Sequence, residues 1–416
     1  MGQEAQFVGP DGVGPDMVDP RLLNAPGSLP AKVSPWRDPR WRSYAFQAVL
    51  MAVIGFLVYE AFSNATENLQ RQKIASGFGF WDTNSGFPIS FSIQHYSEAT
   101  STYGDAFWVG MVNTLLVAAV GIVLATLLGF TVGVARISKN VLVAFVARWY
   151  VEILRNMPLL LQLLFWYNAV LKALPGVRDS IKLPFNSFLN NRGLTTPRPI
   201  PEDGLGWVGL CLVLGLVLTI AVRIWAKRRQ EATGQIAPVG WISLFLLVIM
   251  PSLAFVIAGK PLGFDVPQGG RFNIVGGLVF QPEFLALLFG LVLYTAAYIA
   301  EVVRAGIMAV SHGQTEAAYA LGLQPNITSK LIVIPQAMRV IIPPLTSQYL
   351  NLTKNSSLAV FVGYPDLANV FTGTVLNQTG QAIEVVGITM LVYLSISLTT
   401  SFIMNWYNRR VALIER

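Results

Sequence analysis

Two pairs of oppositely charged residues interrupt apolar stretches of the sequence. Glu152 precedes Arg155, and Glu301 precedes Arg304 at the same spacing. Residues three apart lie on one face of an α-helix, so each pair can partly neutralise itself. An ionisable side chain at mid-bilayer costs at least about 2.5 to 3.5 kcal/mol, so its presence calls for a partner or a pathway. The two pairs are either structural ion pairs that fix helix packing or contacts for a ligand that carries both charges.

Other polar residues within apolar stretches add to this pattern. Lys354, Asn355 and Ser356 can hydrogen-bond a ligand at a broken helix, or join neighbouring helices at about 1 kcal/mol or less each. We favour a pathway for Lys354 and Asn355, and packing for Asn113. Pro158 predicts a kink four residues before Gln162. The candidate pathway residues are Glu152, Arg155, Gln162, Glu301, Lys354, Asn355 and Ser356.

Catalytic, metal and nucleotide chemistry have no support in the sequence. His95 and His312 are too isolated for a metal site, and no serine–histidine pairing suggests a nucleophile. A G-x-x-x-x-G-K-[ST] motif for ATP phosphates does not occur. Cys211 is the only cysteine, which excludes an intrachain disulfide. We therefore predict no catalytic residue, no metal ligand and no cofactor in this chain.

Membrane-spanning helices must hold the polar residues. The chain is 53% hydrophobic and 12% charged, whereas soluble domains are roughly 25% charged. Apolar stretches of roughly 20 residues, enough to cross about 30 Å of hydrocarbon, recur along it. The predicted spans are residues 44–62, 107–133, 143–171, 207–226, 239–259, 283–308, 340–361 and 383–405. This pattern predicts an all-α, polytopic membrane protein with about eight spanning helices.

The distribution of basic residues predicts which side faces the cytoplasm. We predict that both termini are cytoplasmic. With this orientation, the basic residues at 227–229 and 409–410, which lie directly at the ends of spans, face the cytoplasm, as is typical of membrane proteins. The loop 172–206 is an exception, because it contains five basic residues on the predicted outer side. The net charge of +7 thus reflects topology and gives no indication of a nucleic-acid partner.

A spaced motif lies between the sixth and seventh spans. Glu316, Ala317 and Ala318 are followed by Gly322, and then by Ile332 and the pair Ile334-Pro335. This order resembles the cytoplasmic E-A-A, three residues, G, nine residues, I-x-L-P signature of the membrane subunits of bacterial ABC importers, with Ile334 in place of Leu. The acid near a helix N-terminus suits the helix dipole, and the small residues permit close approach of another protein.

Two further stretches narrow the resemblance to the polar amino-acid branch of that family. They are Tyr150 to Gln162, which reads YVEILRNMPLLLQ, and Tyr298 to Ile307, which reads YIAEVVRAGI. The chain is most similar to permeases of general L-amino-acid transporters. The resemblance covers roughly residues 106–172 and 283–405, and it implies a five-helix permease core with a cytoplasmic coupling helix.

The resemblance also implies a domain organisation. Residues 1–40, rich in proline, are expected to form a flexible cytoplasmic tail, and residues 41–105 the first spanning helix and a periplasmic loop. Residues 106–405 are the expected permease domain, followed by a cytoplasmic tail at 406–416. Within the permease domain we expect an insertion with two extra helices at 173–282 and a coupling loop at 309–339.

The partners implied by the resemblance follow from the family's mode of action. They are a dimer of ABC ATPase subunits that bind ATP and Mg, a second homologous permease subunit, and a periplasmic amino-acid-binding protein, all at the bacterial inner membrane. The residues expected to couple to the ATPase are Glu316, Ala317, Ala318, Gly322 and Pro335. The lipid bilayer is the remaining partner.

Two other classes of function compete with this interpretation. A secondary transporter driven by an ion gradient could use Glu152 and Glu301, but it leaves the complete coupling motif unexplained. An intramembrane enzyme would need a nucleophile and base, or a cluster of metal ligands, within the spans, and the sequence suggests neither.

Overall fold

A computed structural model describes residues 39–71, 76–270 and 273–411. These residues fall into two units, one before and one after residue 74. In the first, α1 (Pro39–Arg71) starts with proline at its first turn, where no N–H donor is needed. An exposed ion pair between Glu67 and Arg71 closes its last turn. The predicted tail at 1–40 lies outside the described residues except for its last two positions.

Helix α2 (Tyr103–Arg136) begins at a reciprocal capping box. The Thr102 hydroxyl accepts a hydrogen bond from the Asp105 backbone N–H at 3.2 Å, and the Asp105 carboxylate accepts one from the Thr102 N–H at 2.8 Å. Two N–H groups that the first turn would leave unpaired are thereby satisfied.

Close packing between α2 and α8 (Pro282–Met308) forms the centre of the second unit. Small residues recur every four positions on one face of α2, at Gly121, Ala125, Gly129 and Gly133. A β-carbon at Gly129 would lie 2.6 Å from the side chain of Ile299. Because the glycines remove this obstacle, the two backbones approach closely, as at other small-residue contacts in membranes.

The third predicted span is interrupted in the structure. Helix α3 (Val141–Asn156) ends before Pro158, and α4 (Leu159–Leu164) follows and continues as a π-helical stretch at Phe165–Leu171. Proline disfavours a helical conformation for the residue before it. The span predicted at 143–171 is therefore built from two helices, and the kink expected at Pro158 is an interruption between them.

A helical hairpin follows in the segment between residues 172 and 282. Its first arm is α5 (Leu205–Thr233), and its second consists of α6 (Val239–Leu244), a π-helical stretch (Phe245–Ile249) and α7 (Met250–Ile257). Pro251 lies just after the π-helical stretch and cannot donate a backbone hydrogen bond, which accounts for the local widening.

Short antiparallel strands flank the hairpin. They are β1 (Ile181–Leu183), β2 (Ser187–Asn190), β3 (Gly193–Thr196), β4 (Arg198–Pro201), β5 (Leu262–Asp265), β6 (Gln268–Gly269), β7 (Ile274–Val275) and β8 (Leu278–Phe280). One sheet has the order β1-β2-β3-β8, and the pairs β4-β5 and β6-β7 form two others. Gly193, at φ 114°, lies so close to β8 that a β-carbon would collide with the Phe280 carbonyl oxygen. The fold is helical as predicted, and these strands are an addition to it.

The chain after α8 consists of short helical pieces and two long helices. They are α9 (His312–Ala320), α10 (Pro325–Thr328), a π-helical stretch (Ser329–Val333), α11 (Ile334–Asn355), a 3-10 segment (Ser356–Phe361), a second π-helical stretch (Ala368–Val375), α12 (Leu376–Thr379) and α13 (Ala382–Val411). The predicted seventh span, 340–361, is thus part of α11 and the 3-10 segment.

A buried polar network fixes the non-helical turn between residues 361 and 368 against α2. The Asn113 amide donates to the carbonyl oxygens of Phe91 and Pro365, and the Thr114 hydroxyl accepts from the Leu367 N–H at 3.0 Å. Irregular backbone at membrane depth is tolerated only where protein covers it and satisfies its polar groups. The packing role expected of Asn113 agrees with these contacts.

The same turn contains a carboxylate that the sequence analysis did not single out. Asp366 is fully buried, and it accepts hydrogen bonds from the Tyr393 hydroxyl and the Asn369 N–H, each at 2.8 Å. Tyr393 belongs to α13, so this carboxylate joins the turn to the last helix.

Six helices among the described residues are long and apolar enough to cross a membrane. They are Trp41–Ala65, Tyr103–Arg136, Leu205–Thr233, Val239–Ile257, Pro282–Met308 and Ala382–Arg409. Each contains or closely matches one predicted span. The two remaining predicted spans, 143–171 and 340–361, are built from shorter pieces, so the count of eight stays a prediction.

Replacing Gly129 by Ala should destabilise the protein, because the new methyl group would overlap Ile299 in the α2–α8 contact. Overpacking of this kind costs about 1 to 3 kcal/mol. We expect a lower midpoint of thermal unfolding in detergent and less protein in the membrane fraction. Gly209→Ala is the matched control, since a β-carbon there meets nothing within 4 Å; equal midpoints for the two variants would contradict the packing argument.

Candidate functional site

A cluster of charged residues lies where the C-terminal half of α8 meets α2 and α3. Glu301 forms ion pairs with Arg136 of α2 and with Arg304 one turn further along α8, the latter at 2.6 Å. The α2–α8 contact brings Arg136 to this position. Arg155 of α3 lies further off, at 3.9 Å from the Glu301 carboxylate, and its guanidinium stacks over the Tyr298 ring at 5.0 Å.

The two predicted ion pairs have different outcomes. The Glu301–Arg304 pair is confirmed. The Glu152–Arg155 pair was wrong, because Arg155 turns towards Glu301 and Tyr298, and Glu152 makes no hydrogen bond or ion pair with any described residue. Two cations are therefore held by Glu301, while Glu152 is an exposed and unpaired acid on the adjacent helix.

These residues enclose a cavity of ≈ 330 Å³. Its lining is largely polar and contains Arg136, Glu152, Arg155, Asn156, Tyr298 and Glu301. Arg155 remains partly available to a ligand, because its side chain is 39% exposed and its contact with Glu301 is long. An acid and a base thus lie side by side, open to the cavity, on one turn of α3.

Gln162 occupies the interruption between α3 and α4. It is 2% exposed, and its amide donates to the carbonyl oxygens of Leu154 and Met157 at 2.9 and 3.0 Å. Pro158 deprives such carbonyls of their helical partners, and the glutamine replaces them. Gln162 also lines a mostly apolar cavity of ≈ 360 Å³ with Phe165 and Trp166. Its amide nitrogen is therefore committed to the backbone, whereas its amide oxygen is buried without a hydrogen-bond partner among the described residues.

The remaining pathway candidates lie outside both cavities. Ser356 is fully buried, and its hydroxyl donates to the Thr353 carbonyl at 2.7 Å, which ties the start of the 3-10 segment to α11. Lys354 is exposed and Asn355 is half-buried near the end of α11. Neither side chain makes a hydrogen bond or ion pair within the described part of the chain.

The coupling motif forms a helix that projects polar and apolar groups outward. Glu316 is exposed on α9 and contacts His312 at 2.9 Å. Ala317 is exposed, whereas Ala318 is buried, so only the first alanine is open to another protein. Gly322 ends the helix at φ 76°, with the Leu323 N–H bonded to the Ala318 carbonyl. The left-handed backbone conformation explains why a glycine is found at this position, in addition to the close approach of another protein that the sequence suggests.

Several large apolar side chains are exposed around α9, although polar groups would be expected on a free loop. They are Tyr319, Leu321, Ile327, Leu331 and Ile334, of which Leu321 is 81% exposed. Pro335 is the second residue of α11 and is also exposed. An apolar patch of this kind, next to polar residues, is typical of a surface that binds a partner.

Arg136 and Tyr298 are site residues that the sequence analysis did not find. In the sequence, Arg136 is one of many basic residues near the ends of apolar stretches. The glycines at 129 and 133 were a usable signal, because their spacing brings the last turn of α2 against another helix.

The comparison with known families assigns the chain. Residues 121–413 match the model of the binding-protein-dependent transport system inner membrane component. The chain belongs to this family. It is therefore a multi-pass inner-membrane permease, and residues 121–413 hold the charged cavity, the interruption at Pro158 and the coupling motif.

Curated relatives share most of the permease's length. It is 50% identical to the general L-amino acid transport system permease protein AapQ of Rhizobium johnstonii, over 91% of this chain and 94% of that one. It is 48% identical to the putative amino-acid ABC transporter permease protein YhdX of Escherichia coli, over 91% and 96%. It is 41% identical to the glutamate/glutamine/aspartate/asparagine transport system permease protein BztB of Rhodobacter capsulatus, over 91% and 96%.

Replacing Glu301 by Gln should destabilise the permease, because Arg136 and Arg304 would lose the carboxylate that neutralises them. Glu152→Gln is the control, since Glu152 has no partner in the described structure, and we expect its thermal midpoint to stay at the wild-type value. A double-mutant cycle of Arg136→Gln and Glu301→Gln should give a coupling of about 1 to 3 kcal/mol. A cycle that closes to zero would show that the pair contributes nothing to folding.

Proposed function

We propose that this permease carries L-amino acids into the cell as part of an ATP-driven importer. The observation that supports this most is the cavity in which Glu152 and Arg155 stand open beside each other. The relatives named above are permeases of amino-acid transport systems, and their names agree with a substrate that carries one ammonium and one carboxylate group.

The charges of the cavity suit such a substrate. Arg155 can receive the α-carboxylate through its planar guanidinium, and Glu152 can accept hydrogen bonds from the α-ammonium group. Glu301, already bound to Arg136 and Arg304, holds the adjacent cations in place. Because Glu152 lacks a partner among the described residues and Arg155 is only weakly paired, a zwitterion that pairs with both groups is stabilised relative to a neutral or singly charged solute.

The remaining pathway candidates have secondary roles in this proposal. Gln162 shapes the interruption next to the cavity through its backbone contacts. Lys354 and Asn355 are polar contacts further along the route, and Ser356 supports the end of α11 that presents them.

The energy for transport comes from partner chains. We assign the apolar surface around α9, with Glu316, Ala317 and Gly322, to the docking of an ABC ATPase dimer that binds ATP and Mg. This assignment places α9 and both termini in the cytoplasm, in agreement with the basic residues at 227–229 and at Arg409. A second homologous permease and a periplasmic amino-acid-binding protein complete the assembly.

The mechanism is alternating access. Closure of the ATPases on ATP draws the two coupling helices together and opens the path towards the binding protein, and hydrolysis resets it. Because α9 follows directly on α8, a displacement of α9 is transmitted to Glu301, seven residues before the end of that helix. The docking surface and the charged cavity are thus joined by the three residues that connect α8 to α9.

The apparent affinity of the permease for amino acids should fall when Glu152 or Arg155 is replaced by an uncharged residue. We expect Glu152→Gln and Arg155→Gln each to raise the half-saturating amino-acid concentration by about tenfold or more, as truncating one group of a charged contact does. Radiolabelled uptake at equal membrane abundance measures this. Arg148→Gln is the control on the same helix, because Arg148 is exposed outside the cavity. Unchanged uptake by both variants would exclude the cavity as the substrate site.

Docking of the ATPase should depend on the exposed apolar side chains. We expect Leu321→Asp to reduce the co-purified ATPase by about tenfold or more, because a charge would be buried without a partner at the contact. Ser138→Asp adds the same charge to the loop between α2 and α3 and should co-purify normally.

A third result would decide against the ATP-driven mechanism altogether. If this chain alone moved amino acids into vesicles on an ion gradient, with no ATPase present, the secondary transporter would be the correct function.

A further inference from the structure

The hairpin of α5 and its partner arm at 239–257 stands apart within the second unit. Its helices pack chiefly against each other among the described residues, and most of their apolar side chains are exposed. In a bilayer these side chains face lipid. The hairpin therefore exposes much of its apolar surface to lipid.

A cavity of ≈ 420 Å³ lies at one end of the hairpin, between the last third of α5 and the start of α6. Arg223, Lys227 and Gln230 form one wall, and residues 236–240 form the other. The three side chains follow one another at spacings of four and three, so they share one face of the helix. No acidic residue lines the cavity.

The two cations of this cavity are available to a ligand. Arg223 makes no hydrogen bond or ion pair with any residue that the structure describes. Lys227 approaches Glu231 only to 3.9 Å, and both side chains are well exposed. Contacts of this kind contribute little. Arg229, by contrast, stacks on Trp225 and donates to Gln235 at 2.8 Å, so it is committed.

The depth of the cavity corresponds to the edge of the hydrocarbon. In the sequence, Trp225 lies between Arg223 and Lys227, at the same level of α5 but outside the cavity lining. Trp241 follows the last lining residue, Gly240, and is 77% exposed. Tryptophans on the lipid-facing surface mark the level of the headgroups. Leu216 and Ile220, on the same face of α5 as Arg223, are half exposed towards the bilayer centre.

We propose that this cavity binds the phosphate of an anionic phospholipid, with the acyl chains along Leu216 and Ile220. An arginine fork and a lysine ammonium are the groups that proteins use for phosphate, and basic pockets between spanning helices receive anionic headgroups. A free phosphate would need only the cations, whereas the flanking apolar surface and the tryptophans provide the rest of a lipid site. The lipid would close the otherwise open end of the hairpin.

Native mass spectrometry of the full chain in a neutral detergent tests this site. Phosphatidylglycerol should bind more tightly than phosphatidylcholine with the same acyl chains. Arg223→Gln with Lys227→Gln should weaken phosphatidylglycerol binding by about 30-fold, since each basic residue near the surface contributes about 1 kcal/mol. Exchanging the two cations, by Arg223→Lys with Lys227→Arg, should retain binding, which separates charge from folding.

The control is Arg228→Gln, which removes the same charge from the same helix outside the cavity. It should change binding by less than about twofold, whereas Arg223→Gln alone should change it by about fivefold. Equal losses for these two variants, or equal binding of the two lipids, would overturn the proposal in favour of unspecific attraction. Displacement of phosphatidylglycerol by millimolar inorganic phosphate would overturn it in favour of a soluble anion.

Discussion

The close contact between α2 and α8 is the constraint on which the rest of the second unit depends. Glycines at 129 and 133 remove the side chains that would keep these helices apart. The approach places Arg136 on Glu301 and thereby fixes the charge of the cavity next to α3. In lipid, where apolar surface gives no preference for protein over bilayer, shape complementarity of this kind has to supply much of the packing energy.

Two interruptions of helix depend in turn on side chains that replace lost backbone bonds. At Pro158 the amide nitrogen of Gln162 donates hydrogen bonds to the freed carbonyl groups. Between residues 361 and 368, Asn113 and Thr114 form hydrogen bonds with the backbone of the turn. The turn between residues 361 and 368 is mostly buried by protein, whereas residues 155–157 are exposed and line the two cavities. Irregular backbone in a membrane is tolerated in either setting. The polar residues within apolar stretches are therefore of two kinds: some maintain the backbone, while Glu152 and Arg155 remain open.

The sequence was sufficient to predict the spans whose apolar runs are long and unbroken, and the position of the interruption at Pro158. It could not predict the partner of Arg155, because spacing along one helix says nothing of a carboxylate brought in by another. The strands at 181–201 and 262–280 could not be predicted either, since each is only two to four residues long. The β3–β8 and β4–β5 pairs also join segments that a hairpin of two helices separates in the sequence. Gly322 could be located by motif, but its left-handed conformation required the structure.

The strands around the hairpin have a topological consequence. β3 pairs with β8 and β4 with β5, so the chain that leaves the helical core before the hairpin returns to the core at the same place. There the Tyr167 hydroxyl, before the segment, donates a hydrogen bond to the Glu283 carboxylate, after it, at 2.8 Å. The segment is thus a closed side branch, whose removal would leave two ends that a short connection can join. Such a branch can be gained, lost or altered in the course of evolution while the core helices keep their register.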